Sequence, residues 1–511
     1  MKNNFKWLLL ISLTFAACND DDSNTVVEEP ITAGSADFSH YVALGNSLTA
    51  GYSDNALFRA GQENSYPKIL AEQFAQVGGG EFKVPYMNDN FGGLLLGGNP
   101  LPGFGTRIYL SGFLNASTPN IQNVPGLPTT ELTSPLTGPF NNMGFPGAKS
   151  YHLLANGYGN LAGVPMGLAN PYFARFASSS TTSILADAVA QNPTFFSLWI
   201  GNMDVLGYAT SGGSGVNQAG NMNPATYASN DITDPTVFAS VYSTLLDQLT
   251  MNGAKGVVAN LPYVTSIPFF RTVPHNPVPL DAATAGMLNA QLIGPASQIL
   301  TALGAGDRLV MVAEAGNNPL LIKDETLPDL SAQLTGALTA AGIPPAQAGL
   351  MGMLYGQARH ATSADLILLT TRGIIGTTQP GIPAPFNTVG VTYPLQDSAV
   401  LTAAEVLEVK NAIDAFNISI KALAEAKGLA FVDANAIMNQ LFNGGLRFGN
   451  HHMSASFITG GVFSLDGVHP GARGYAMVAN KFLEAINAKY GSNFKPVNLG
   501  NYPIQYPQQL N

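Results

Sequence analysis

The chain has 511 residues, 46% of them hydrophobic and only 11% charged, with 55 Gly, 34 Pro and a single Cys. That balance fits an ordered, loop-rich globular protein rather than a disordered or fibrous one. A net charge of −10 argues against nucleic acid as a partner, because phosphate binding needs a basic surface.

The N-terminus reads as a targeting segment. Lys2 and Lys6 accompany an apolar run over residues 7–15, which closes on Ala16-Ala17-Cys18. A lone cysteine cannot form an intramolecular disulfide, and this one stands where bacterial lipoproteins are cleaved and acylated. The segment resembles a lipobox, with Phe15 where Leu is usual. Asn19-Asp20-Asp21-Asp22 resembles the surface-export signals of some Gram-negative lipoproteins. The resemblance implies a signal peptide over 1–17, lipidation at Cys18 and an acidic tether over 18–36. The protein would then sit in the cell envelope as an outer-membrane lipoprotein, held to the membrane by its N-terminal acyl anchor. Whether the anchor faces the periplasm or the exterior stays open. No later stretch has roughly 18 uninterrupted apolar residues, so no membrane-spanning helix is expected.

The folded domain is expected over 37–511. Residues 41–44 form a continuous apolar run that stops at Gly45-Asn46-Ser47, which predicts a buried strand with Ser47 at its C-terminal end. Residues 66–74 have helical spacing. A Gly/Pro/Asn-rich stretch near 78–141 has few periodic segments and reads as an irregular insertion. Residues 193–200 form a second buried strand ending at Gly201, followed by a helix over 237–251 and a strand over 256–261. Near 265–395, helical stretches (282–303, 330–341) alternate with short apolar runs, as in a lid or an inserted subdomain. The core pattern resumes with a helix over 403–426, a strand over 429–432 and a closing helix over 474–490. This alternation implies an α/β fold with a central parallel sheet and helices on both faces. Ligands bind such sheets at the carboxyl ends of the strands, where Ser47 and Gly201 fall.

Ser47 alone would be an ordinary turn or cap residue. It gains meaning from Asp466-Gly467-Val468-His469 near the other end of the chain, where a carboxylate precedes an imidazole by three residues and Pro470 stiffens the backbone after them. A serine hydroxyl needs a base to attack near neutral pH, imidazole titrates there, and a carboxylate orients and stabilises it. No Gly-x-Ser-x-Gly elbow occurs, which disfavours the α/β-hydrolase version of this chemistry. Gly147-Ala148-Lys149-Ser150 lacks the glycine spacing of a phosphate loop, and His451-His452 has no partner cluster for a metal.

These segments resemble the SGNH hydrolases, also called GDSL lipases/esterases. Gly45-Asn46-Ser47-Leu48 resembles the first block, with Asn46 in place of the usual Asp. Asn142-Met143-Gly144-Phe145-Pro146-Gly147-Ala148 resembles the second, and the Asp466–His469 segment resembles the last. The resemblance implies a flavodoxin-like three-layer sandwich of SGNH type, enlarged by insertions near 78–141 and 265–395. It also implies a catalytic set of Ser47, Asp466 and His469, with the Ser47 and Gly147 backbone N–H groups as an oxyanion hole. The third block departs from the pattern: Gly201-Asn202-Met203-Asp204 has Met203 where an oxyanion-binding Asn is expected. Methionine donates no hydrogen bond, so either Asn202 turns into the site or the two backbone groups act alone.

The expected activity is therefore hydrolysis of a carboxylic ester by a lipid-anchored serine esterase or lipase, with no cofactor and no metal. The substrate is open among lipids, short acyl esters and acetylated glycans. A polysaccharide deacetylase with the same chemistry, or a binding lipoprotein that has lost turnover, are the competing readings.

Overall fold

The computed structural model describes residues 30–115 and 118–510. The expected signal peptide over 1–17, Cys18 and the tether up to residue 29 lie outside the described residues. The end of that expected tether belongs to the folded body. Thr32 N–H donates to Asn493 Oδ1 at 2.7 Å and Ser35 N–H to the Tyr490 carbonyl at 2.8 Å, and Ala36 is buried.

Five strands build one parallel sheet: β1 (Tyr41–Gly45), β2 (Asn142–Gly144), β3 (Phe195–Trp199), β4 (Lys255–Ala259) and β5 (Ala430–Val432), in the spatial order β5-β4-β3-β1-β2. β1 pairs with β3 from Tyr41↔Phe195 to Gly45↔Trp199, and with β2 from Ala43↔Asn142 to Gly45↔Gly144. Every residue of β1, β2 and β3 is buried, as expected for strands covered on both faces. The chain leaves β1 toward one neighbour and returns on its other side, so strand order reverses at β1, where a crevice opens beyond the strand ends.

Helices cover the sheet in two pairs. On one side lie α2 (Tyr66–Phe74) and α7 (Ala472–Tyr490), where Tyr66 and Phe482 bring their ring centroids to 4.7 Å. On the other lie α4 (Pro235–Thr250) and α5 (Ala403–Ala426), joined by Phe238 stacked on Phe416 at 4.1 Å. The start of α4 is set by Asp234, whose carboxylate accepts from Thr236 N–H and Val237 N–H, with Pro235 next. Its buried face runs through Phe238, Val241, Tyr242, Leu245 and Leu249, a helical stripe. A capping box opens α5: Glu405 Oε2 accepts from both Thr402 N–H and Thr402 Oγ1. Each fully buried Leu or Phe in these layers contributes about 1.5–3 kcal/mol. Among the described residues, no helix is long and apolar enough to cross a membrane.

The two long stretches outside the core pattern differ in kind. The 78–141 segment is more regular than its composition suggests. It contains a two-stranded ladder, Ile108–Phe113 against Pro119–Asn123, and sends Leu94 and Leu132 into the main core. Residues near 272–400 form a subdomain with a core of its own, centred on Leu292, Leu300, Leu334 and Met351. Its helices Ser331–Ala340 and Pro345–Tyr355 pack closely on each other. The expected helix over 282–303 is present as two α-helical pieces joined by a π turn at Asn289–Ile293.

The short helix α1 (Ser47–Ala50) sits directly on the sheet because Gly144 leaves room for it. A Cβ at Gly144 would collide with the Ala50 backbone nitrogen and stand 2.6 Å from the Thr49 carbonyl carbon. Gly144→Ala is therefore expected to lower stability by about 1–3 kcal/mol through overpacking, read as a lower denaturant midpoint at unchanged m-value.

Candidate active site

β1 ends at Gly45, where any side chain would run into Thr49 Oγ1 and the Trp199 carbonyl. Glycine thus lets the turn lie against β3. Asn46 then caps α1, its side-chain oxygen accepting from Leu48 N–H at 3.2 Å, and Ser47 becomes the first residue of that helix. The first N–H groups of a helix have no partner within it. Accordingly, Ser47 N–H finds no acceptor among the described residues.

The second loop is folded around a carboxylate. Asp466 Oδ1 accepts from Val468 N–H and His469 N–H, both at 2.8 Å. Asp466 Oδ2 lies 2.9 Å from His469 Nδ1 and accepts from Asn55 N–H at 3.0 Å. Burial alone would raise the pKa of Asp466, but the facing imidazole and these hydrogen bonds outweigh it and hold the pKa below the usual carboxylate value. An ionised carboxylate offers no proton, so His469 Nδ1 carries the hydrogen and Nε2 is left as an acceptor. That Nε2 stands 2.9 Å from Ser47 Oγ, across 422 positions of sequence. The Tyr52 ring packs beside the imidazole, centroids 4.7 Å apart. A hydroxyl, a base and an orienting carboxylate in line can generate a nucleophilic serine.

Three unpartnered donors border this line. Besides Ser47 N–H, Gly147 N–H has no acceptor among the described residues; Gly147 holds φ +83° and faces open space, where a Cβ would meet nothing within 4 Å. The third is Asn202, 6% exposed, whose Nδ2 is buried with no hydrogen-bond partner. Asn202 precedes α3 (Met203–Thr210) and borders the same hollow as Ser47 and His469. Gly201 before it holds φ +120°, with the Phe238 ring 2.8 Å from where a Cβ would be. Met203 is half-buried and only walls the hollows. Asp204 braces the neighbouring loop, accepting from Ser150 N–H at 2.8 Å and Ser150 Oγ at 2.7 Å. Lys149 Nζ donates to the Asp231 carbonyl at 2.6 Å, so the lysine ties down a loop.

Two hollows meet at the serine and share Ser47, Met203, Leu206, Val468 and His469. One is a cavity of about 100 Å³ between α7, the strand ends and α6 (Ala434–Asn443), walled by Trp199, Val432, Met438, Leu441 and Phe482. The other is a broad cleft of about 1090 Å³ with Phe104, Tyr151, His152, Tyr158, Tyr172 and Tyr227 along it. Burial pushes His152 down to about 4, and its ring stacks on Tyr158 at 4.4 Å, so it lines the cleft as a neutral aromatic. Ile267 and Phe269, at the start of the expected 265–395 stretch, line the hollows; no residue of 272–400 does, although Leu369 packs against Gly467 in the Asp466–His469 loop. His451 and His452 lie on a short hairpin outside both hollows, His452 exposed beside the Gly444 carbonyl.

Sequence reasoning missed the support behind the triad. Asp54 and Asn55 are left-handed at φ +49° and +61°, a conformation Asp and Asn tolerate better than most residues. Asp54 N–H donates to Ser464 Oγ and its Oδ1 accepts from Leu465 N–H, each at 3.0 Å. Its pKa is raised to about 7 by burial, with the Asp466 charge adding to the effect. The turn composition Ser53-Asp54-Asn55 was the only available signal, and it points to a turn without pointing to its partner.

Because folding raises the pKa of Asp54 above its unfolded value, the associated stability is complete below about pH 4 and is lost as pH climbs through about 7. Asp54→Asn imitates the protonated group. Its stability relative to wild type is expected to improve between pH 4 and pH 8, by at most about 4 kcal/mol, in paired denaturant titrations; a difference that stays flat with pH would contradict the buried charge.

No protein-family model, curated protein or solved structure matches this chain.

Proposed function

We propose that this chain is a serine ester hydrolase of SGNH type. The observation that carries the reading is the line Ser47 Oγ–His469 Nε2–Asp466, with 2.9 Å at each step. Supporting it are the flavodoxin-like strand order 2-1-3-4-5 and the position of Ser47 just beyond β1, at the point where strand order reverses. The buried Asn202 Nδ2 also supports it, since buried polar groups are normally satisfied, and the N–H groups of Ser47 and of exposed Gly147 have no acceptor among the described residues either. A protein that only binds would have no use for a nucleophile, a base and vacant donors together.

In this reading, Ser47 Oγ attacks the ester carbonyl carbon while His469 Nε2 takes its proton. Asp466 stays ionised and stabilises the imidazolium. The carbonyl oxygen, now negative, receives hydrogen bonds from Ser47 N–H, Gly147 N–H and Asn202 Nδ2, so that Asn202 takes the role Met203 cannot fill. The intermediate collapses, the C–O bond to the alcohol breaks, and His469 returns the proton to the leaving oxygen. Water then attacks the acyl-enzyme with the same base, releasing the acid and restoring Ser47. The lipid-anchored, cell-envelope setting of this activity rests on the N-terminal sequence, above all Cys18.

A fluorophosphonate probe is expected to label the purified wild type at Ser47 and to leave Ser47→Ala unlabelled. A folded wild type that takes no label would sink the hydrolase reading. Asn202→Ala is expected to lower kcat by about 10²–10³ with a much smaller change in KM, measured on a p-nitrophenyl ester; unchanged kcat would leave the oxyanion to the two backbone groups.

A further inference from the structure

The two hollows that meet at Ser47 differ in chemistry, and the difference assigns the two halves of an ester. The smaller cavity is walled almost wholly by apolar side chains: Trp199, Leu441, Met477 and Phe482 are all buried to 95% or more, and Val432, Ile437 and Met438 complete it. Its polar lining is Ser47, His469 and Asn202 around the nucleophile, and Lys481 on α7, whose ammonium is paired with Glu484 at 2.8 Å. A polyol or sugar placed deeper would leave its hydroxyls without partners, whereas a hydrocarbon chain loses nothing there. The cleft is more mixed in character. It is roughly ten times larger and interleaves tyrosines, Asn55 and Asn230 with Phe104, Leu154 and Phe269.

Resting on the hydrolase reading above, we propose that the apolar cavity is an acyl-chain subsite and that the cleft receives the alcohol. The substrate is then an ester of a short fatty acid with a bulky, partly polar alcohol, rather than an acetyl ester. The cavity volume of about 100 Å³ is two thirds of the 150 Å³ at which an apolar cavity binds benzene. By that comparison, with six carbons in 150 Å³, it accommodates about four chain carbons beyond the ester carbonyl. Its walls belong to the main core, between the sheet and α7, so it cannot widen for long chains without disturbing that packing.

Two ladders of esters test this on the full folded protein. p-Nitrophenyl esters from acetate to palmitate vary the acyl chain, and alkyl acetates from ethyl to octyl vary the alcohol. Along the first, kcat/KM is expected to rise about fourfold per methylene, equivalent to about 0.8 kcal/mol of buried hydrocarbon, to a maximum at about four to six carbons, and then to fall. Along the second it is expected to stay nearly flat. Ile437→Phe, which narrows the cavity, should move the acyl maximum to shorter chains, and Leu441→Ala should move it to longer ones. A flat or falling acyl ladder in a protein that takes the fluorophosphonate label would overturn the acyl subsite while leaving the hydrolase standing, and would favour an acetyl esterase. A steep alcohol ladder with a flat acyl ladder would reverse the assignment of the two hollows. Absence of labelling fails the hydrolase reading itself. The wild-type ladders decide the matter even if a cavity variant does not fold.

Discussion

The Asp466 carboxylate is the interaction on which the rest of the site depends. Its two oxygens do different work. Oδ1 takes the N–H groups of its own loop, at Val468 and His469, and so shapes that loop. Oδ2 is divided between the His469 ring and the N–H of Asn55, from the other end of the chain. An ionised carboxylate buried without partners would be penalised by several kcal/mol, whereas hydrogen bonds to a charged group each contribute about 1.5–3 kcal/mol. Three backbone donors and one ring donor therefore let Asp466 remain charged under cover. That charge fixes the imidazole tautomer, and the tautomer leaves Nε2 facing Ser47. Further bonds close the same seam: Ser53 Oγ to the Pro470 carbonyl at 3.1 Å, and Tyr475 Oη to the Tyr52 carbonyl at 2.6 Å.

The seam carries local costs that only a well-braced structure sustains. Asp54 and Asn55 occupy left-handed backbone at consecutive positions, a strain of about 1–3 kcal/mol each, and Asp54 is a second buried acid close to Asp466. Behind them lies Arg107, fully buried, whose Nε donates to the Asn90 carbonyl and whose Nη2 donates to the Pro507 and Gln508 carbonyls. Arg107 comes from the 78–141 segment and the carbonyls at 507 and 508 from the C-terminal tail. That long segment thus has a mechanical meaning: it backs the Asp54–Asn55 turn and, with Phe104, forms part of the cleft. The 272–400 subdomain is different: most of its core is separate, of its buried residues only Leu366 and Leu368 join the main core, and it lines neither hollow.

How much of this was legible in the sequence follows from the range of the forces involved. β1, β3, β4 and β5 stand out as apolar runs because both sheet faces are covered, and the helices at Tyr66–Phe74 and Ala403–Ala426 follow from periodicity and a local cap. The Ser47–His469–Asp466 line is legible because Asp466 and His469 are three residues apart and Ser47 follows the end of a strand. β2 is only three residues long and begins with Asn142, so no periodicity reveals it. The helix Pro345–Tyr355 is obscured by its two glycines, of which Gly352 serves close packing, since a Cβ there would meet the Ser331 carbonyl oxygen at 2.6 Å. Asp54, Arg107 and the two hollows are products of contacts between residues hundreds of positions apart, for which sequence spacing carries no signal.

The unpartnered amide of Asn202, beside Met203, fits the same physical logic. Met203 stands where the two hollows join, half-buried against apolar walls, and a thioether there needs no partner. Asn202, one position earlier, is enclosed and keeps an amide N–H₂ group with nothing to donate to. Leaving such a donor unsatisfied costs about 1–3 kcal/mol in the resting protein. If an acceptor reaches that donor only as the carbonyl oxygen becomes negative, the penalty is present in the ground state and relieved in the transition state. An interaction of that kind lowers the barrier without tightening substrate binding. Under the esterase reading, the exchange of Asn for Met at 203 therefore moves the third donor by one residue instead of deleting it, and it frees position 203 to wall the junction with hydrocarbon and sulfur.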